Sequence, residues 1–124
     1  MAGKGPSRRP EQVAEAIRAI LAEALLRGEV RDPRVGMVTV SSVEVTRDLA
    51  VAKILVEPRA DDDAGRDAAV EGLRSAAGYL RGIVARSLTT RSVPELRFER
   101  DRGLDHAHRI DELLANLRHG EEPS

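Results

Sequence analysis

The sequence predicts an α+β domain of two layers, a three-stranded sheet with its helices packed on one face. Three observations predict it. Apolar residues recur at helical spacing in separate stretches. Two β-branched runs are joined by a link too short for anything but an antiparallel pair. The segments follow one another as α-β-β-α-α-β-α. Neither an amphipathic helix nor a three-stranded sheet can bury its apolar side alone, so one sheet under several helices is the economical arrangement.

The first helix is expected from Pro10, placed in the opening turn, to a stop at Gly28. Val13, Ile17, Ile20, Leu21 and Ala24 form its apolar stripe. A loop, Arg31-Asp32-Pro33-Arg34-Val35-Gly36, leads to strand-like runs at Met37–Val45 and Leu49–Glu57, linked by Thr46-Arg47-Asp48. Pro58 ends the second run, and Ala60–Gly65 reads as a solvated acidic loop. A helical segment from about Arg66 to Leu88 carries Val70, Leu73, Ala77, Leu80 and Val84 inward, with Gly78 marking a bend between two helices. Thr89–Pro94 is a loop, and Glu95–Arg100 is a third strand with Leu96 and Phe98 pointing inward. A short C-terminal helix over about Leu104–Leu117 carries Ile110, Leu113, Leu114 and Leu117. The domain organisation expected is a flexible basic arm over 1–9, one domain over 10–118 and a flexible tail over 119–124.

With 124 residues, 41% of them apolar, the chain fits one domain and one core. Only Tyr79 and Phe98 are aromatic, so the core must be built from aliphatic side chains. No cysteine is present, which excludes disulfides and thiolate metal sites. No apolar run reaches the roughly 18 residues of a membrane span, and none follows the basic N-terminus in the manner of a secretory signal. No membrane partner is expected, and the cytoplasm is the expected compartment. The formal net charge of −1 hides segregation. Lys4, Arg8 and Arg9 stand without acids, as do Arg74, Arg81, Arg86 and Arg91, while Asp61-Asp62-Asp63 and the tail hold acids. Of the 20 basic residues 18 are Arg, which suits phosphate recognition, but coding bias in a GC-rich genome, favoured by the many alanines, is the better account of it.

Enzyme signatures are missing: there is no G-x-S-x-G, no Walker loop, no H-E-x-x-H and no G-x-G-x-x-G. Gly3-Lys4-Gly5-Pro6-Ser7 follows no strand, and Pro6 lacks a donor. His106-Ala107-His108 has a poor metal spacing for a helix and reads as a solvated helix start. Asp62 and Asp63 read as solubilising. No catalytic residue, metal or cofactor is expected. On a continuous helix Arg74, Gly78 and Arg81 fall within about 60° of one another. Two guanidinium groups there flank a site where an absent side chain could admit a phosphate backbone, with Tyr79 beside it to stack on a base. A solvated arginine face with Gly78 serving helix packing accounts for the pattern equally well.

Four stretches resemble a known family. They are Val30-Arg-Asp-Pro-Arg-Val-Gly36, Val43-Glu-Val-Thr-Arg-Asp-Leu49 running on to Ala52-Lys53, Ala76-Ala-Gly-Tyr-Leu-Arg81, and Val93-Pro-Glu-Leu-Arg-Phe98. Collinear over about residues 11–117, they are similar to ribosome-binding factor A. The resemblance implies a type II KH-like fold in which a bent A-x-G turn, here Ala76, Ala77 and Gly78, replaces the G-x-x-G loop. It implies binding to the free small ribosomal subunit and its ribosomal RNA during late maturation, without catalysis, and release involving a GTPase. The RNA-binding residues expected are Arg8, Arg9, Arg31, Arg34, Arg74, Ala76, Ala77, Gly78, Tyr79, Arg81, Arg86 and Arg91, in a monomer. A slightly acidic chain departs from the basic charge expected of an RNA binder. Other readings are a KH-like module for different RNA such as messenger RNA, a small hydrolase using His106 or His108, and a dimerisation module.

Overall fold

A computed structural model describes residues 9–88 and 92–103, together with Leu113, Leu114 and Leu117. The order of elements is α1 (Pro10–Leu26), β1 (Val38–Val45), β2 (Val51–Pro58), α2 (Asp63–Ser75), α3 (Ala77–Ser87) and β3 (Glu95–Arg100). This is the α-β-β-α-α-β order expected. The expected C-terminal helix, including His106 and His108, falls mostly outside the described residues.

Pro10 opens α1, where its missing N–H costs nothing. Gly28, at φ +72°, ends the turn beyond it, in a conformation that favours glycine. Val13, Ile17, Leu21 and Ala24 are buried as expected, whereas Ile20 is only half-buried and Ala14 joins the buried face. β1 and β2 form an antiparallel hairpin with an irregularity between Val40 and Ser42. The turn is built by Asp48, whose Oδ1 accepts from Thr46 Oγ1 at 2.7 Å and from the Ala50 N–H at 3.0 Å. Leu49, expected to begin β2, sits in this turn at φ +60°, and the strand starts only at Val51.

The stretch expected to be a loose acidic loop is a helix start. Asp62 is the N-cap of α2, its Oδ1 accepting from the Gly65 N–H at 2.7 Å. Asp63 opens the helix and pairs with Arg66 at 3.1 Å and with Arg100 at 2.8 Å. The side chain of Arg100 is only 5% exposed, so Asp63 helps to neutralise a cation tucked under the helix. Asp62 and Asp63 are therefore structural residues.

The sheet has the order β1-β2-β3, with β2 and β3 parallel. The α2–α3 pair makes the crossover that a parallel connection requires. Ala52, Ile54 and Val56 of β2 and Leu96 and Phe98 of β3 face the helices and meet Ile17, Leu21, Leu73, Leu80 and Val84 in one aliphatic core around a single phenyl ring. The opposite face of the sheet carries Glu44, Glu57, Glu95 and Glu99 against Lys53 and Arg97, an unfavourable surface for a polyanion.

Candidate nucleic-acid interface

The bend between the helices falls at Ala76, two residues before the glycine expected to mark it. Ala76 has φ −91° and ψ 3°, and its N–H still bonds to Gly72 O at 3.1 Å and Leu73 O at 3.0 Å. α3 then begins with Leu80 N–H on Ala76 O at 2.9 Å. The methyl of Ala76 cannot cap the first N–H groups of α3, and its first turn holds no acid. Ala76 and Ala77 are half-buried against the core. Gly78 has no positive φ, and a Cβ built there meets nothing within 4 Å. It leaves open space beside the bend without creating the bend.

Arg74 and Arg81 do not flank that space as free cations. Arg74 Nε donates to Phe98 O at 3.0 Å, and its Nη1 reaches Glu71 at 3.3 Å. Arg81 Nη2 donates to Val93 O at 2.6 Å and its Nε to Pro94 O at 3.2 Å. The Arg74 guanidinium thus lies on a carbonyl of β3, at the margin of the sheet, and that of Arg81 on the two carbonyls just before the strand begins. The helical wheel places these residues near Gly78 correctly. It cannot include β3, which draws long side chains across the helix surface.

On the other side of the bend the loop after α1 folds back over α2. Val35, 4% exposed, anchors it in the core. Asp32 accepts from Arg34 twice over, Oδ1 from the backbone N–H at 2.9 Å and Oδ2 from Nη2 at 2.6 Å. These bonds from Arg34 hold the Asp32 carboxyl down at about 2, well below the usual carboxylate range. Arg34 Nη2 also reaches Ser75 Oγ at 3.3 Å, tying the loop to the end of α2. The approach is close because α2 carries Gly72 there. A Cβ on Gly72 would lie 2.8 Å from Val35 Cγ2 and 3.3 Å from Asp32 Cγ. Gly72 and Asp32 are parts of the site that sequence reasoning missed. The only sequence signal for Gly72 is a glycine inside an otherwise helical pattern.

Between this loop and the α2–α3 junction lies a cleft of about 720 Å³, with Arg31 and Glu29 on one wall and Ser75, Ala76 and Tyr79 on the other. Tyr79 is 53% exposed, and its hydroxyl donates to Glu29 Oε1 at 3.0 Å. That hydrogen bond, with the charge of Glu29, raises the phenol above its ordinary range, while Arg86 and Arg31 act in the opposite direction from nearby. Arg31 and Arg86 are exposed and form no hydrogen bond or ion pair with other described side chains. Arg9 is exposed at the start of α1, on the far end of the helix from the cleft. Arg8 and Arg91 lie outside the described residues, as do His106 and His108. Among the described residues no three His, Asp or Glu side chains converge as metal ligands would, and no helix is long and apolar enough to cross a membrane.

The expected residues therefore divide. Arg31 and Tyr79 line the cleft with Arg86 near Tyr79 outside that lining, Arg34 braces the loop, Ala76, Ala77 and Gly78 form the junction, and Arg74 and Arg81 turn to β3 and the residues leading into it. The arrangement offers one fixed aromatic ring, free guanidinium groups and a carboxylate, which can stack, bind phosphate and accept hydrogen bonds.

The sequence profile of ribosome-binding factor A matches residues 9–114. A protein of that name from Desulforamulus reducens is 45% identical over 111 residues, covering 90% of this chain and 91% of its own. The solution structure of a putative ribosome-binding factor A from Thermotoga maritima superposes with a TM-score of 0.66 at 34% identity, covering 82% of this chain and 94% of its own. A homology model of Thermus thermophilus ribosome-binding factor A, fitted into a cryo-electron-microscopy map of a complex with the 30S particle, gives a TM-score of 0.58 at 27% identity over 71% of this chain and 90% of its own. With the family profile matching residues 9–114 and a relative 45% identical over 90% of its length, this chain belongs to the ribosome-binding factor A family.

Proposed function

We propose that the protein binds the free small ribosomal subunit and its ribosomal RNA, and assists late maturation of that particle without catalysing a reaction. The observation that carries this reading is the family match over residues 9–114, in a family with a member fitted into a 30S complex. The geometry supports it. The junction side of the domain offers uncompensated arginines and a half-exposed tyrosine, whereas the outer face of the sheet is acidic. A protein that binds one RNA conformation more tightly than another shifts the population toward it by that difference in affinity, so no catalytic group is needed. Action as a monomer in the cytoplasm, and release involving a ribosome-associated GTPase, belong to the same reading. The test is co-sedimentation of the intact protein with free small subunits and with assembled ribosomes. Pelleting with free subunits alone is expected. Equal pelleting with assembled ribosomes, or none with either, overturns the proposal.

A further inference from the structure

The cleft beside Tyr79 has a shape and chemistry that nothing in the family match assigns. Its volume of about 720 Å³ lies in the range of small-ligand pockets and can hold one nucleotide. Tyr79 is held at the cleft by its bond to Glu29 and remains 53% exposed, so the ring is both fixed and available for stacking. Asp32 cannot read a ligand, because Arg34 donates to both its oxygens. Glu29 can. Its side chain accepts the Tyr79 hydroxyl on Oε1 and has no other hydrogen-bond partner among the described residues.

We propose that this cleft takes a single unpaired guanine nucleotide of RNA, its base stacked on Tyr79, its Watson–Crick edge donating to Glu29, and its flanking phosphates facing Arg31 and Arg86. The inference deepens the RNA-binding reading above and rests on it. An ionised carboxylate can only accept hydrogen bonds. Guanine presents two adjacent donors, N1–H and the N2 amino group, to match its two oxygens. Adenine and cytosine each place a ring-nitrogen acceptor beside their amino group, and uracil flanks its N3–H with two carbonyls, so each sets an acceptor against the carboxylate. Single-stranded RNA presents that edge, whereas a duplex hides it. The β3 side of the same helices offers no such place, because Arg74 and Arg81 are engaged with backbone carbonyls there.

The chain has one tyrosine and no tryptophan, so its intrinsic emission reports on Tyr79 alone. The experiment titrates the full chain with the RNA pentamers UUGUU, UUAUU and UUUUU and with free GMP, following tyrosine quenching and the anisotropy of labelled RNA. UUGUU is expected to quench Tyr79 and to bind more tightly than the other pentamers. Tyr79→Ala should weaken UUGUU binding about tenfold, within the span of base stacking on an aromatic ring, while Tyr79→Phe keeps most of the affinity. Glu29→Gln should keep the binding but lose the guanine preference. Thermal unfolding of each variant separates lost binding from lost folding. GMP binding as tightly as UUGUU overturns RNA as the occupant, and an absence of quenching, or equal affinity for all pentamers, overturns the guanine site. Co-sedimentation distinguishes the two readings. If the wild-type chain pellets with free small subunits and Tyr79→Ala pellets equally well, the cleft proposal fails and the ribosomal one stands.

Discussion

Arg74 and Arg81 differ from Arg31 and Arg86 in what surrounds them more than in what they are. All four are exposed arginines on the helical layer, and three stand on the same pair of helices. Along β3 and the two residues leading into it the guanidinium groups meet backbone carbonyls and are held there. Around Tyr79 the neighbouring backbone belongs to a helix junction and a folded-back loop, where Ala76 O is taken by the Leu80 N–H and Asp32 O by the Val35 N–H, and Arg31 and Arg86 bond to no described backbone or side chain. A charged side chain belongs to a binding surface only after the local backbone has had its claim on it. The same lesson applies to Asp32 and Glu29, neighbours in one loop: the first is saturated by Arg34 and the second is available.

Filling the space at Gly72 should break this division most strongly. Gly72→Leu forces a side chain into Val35 and Asp32, so the loop must lift from α2, and overpacking of this kind costs about 1–3 kcal/mol. Urea unfolding should report that loss, accompanied by a change at Tyr79 as the Glu29 wall moves away. Gly72→Ala is the milder case, because its gain in helix propensity, about 1 kcal/mol, offsets part of the clash. A Gly72→Leu variant as stable as the parent would mean that the loop does not pack here.

Next in size is the β3 side. Arg81→Ala leaves the carbonyls of Val93 and Pro94 without their donor, and a cost of about 1 kcal/mol is expected from lost hydrogen bonding. Its effect on RNA binding should be small, and the dependence of binding on salt should keep its slope. A lowered slope with unchanged stability would reverse the assignment and return Arg81 to the RNA surface.

The opposite signature is expected from Arg31→Gln and Arg86→Gln. Stability should stay within about 0.5 kcal/mol, as for surface positions without partners. The slope of log affinity against log salt should fall by roughly 0.7 for each arginine that contacts a single-stranded phosphate. Fluorescence anisotropy with an RNA oligomer at several salt concentrations measures it. An unchanged slope removes these arginines from the interface.

The smallest effect concerns pH. Asp32 has its carboxyl lowered from 3.8 to about 2 by Arg34, so its ionised form favours the folded loop. That contribution is fully present above about pH 4 and is lost as pH falls toward 2. Asp32→Asn should remove this contribution where it is present, lowering stability at neutral pH and meeting the parent as pH falls toward 2, so that this part of the acid stability curve flattens. An identical acid profile in the variant would show that the loop does not depend on the ion pair.

Much of this is legible in the sequence because it depends on local periodicity. The stripe of α1, the alternation of Leu96 and Phe98 in β3 and the order of elements come from spacing alone, and the structure keeps them. The bend is legible too, although spacing assigns it to Gly78 because glycine is the residue that usually explains one. Ala76 makes the turn instead with an ordinary backbone conformation and continuous hydrogen bonds, which no residue type signals. The acidic run at Asp61–Asp63 misleads for a related reason: a helix cap and a solvated loop have the same composition, and only the segment on their C-terminal side tells them apart.

The sequence by itself determined the elements, the aliphatic core around one phenyl ring and the segregation of charge, because each depends on residues near one another along the chain. The tertiary structure alone decided which arginines stay free, which carboxylate can accept a ligand and why Gly72 must lack a side chain. Those outcomes depend on contacts such as Tyr79 with Glu29, Arg74 with Phe98 and Gly72 with Val35, between residues 50, 24 and 37 positions apart. A hydrogen bond selects its partner by distance and angle in space, and no periodicity along the chain encodes that choice.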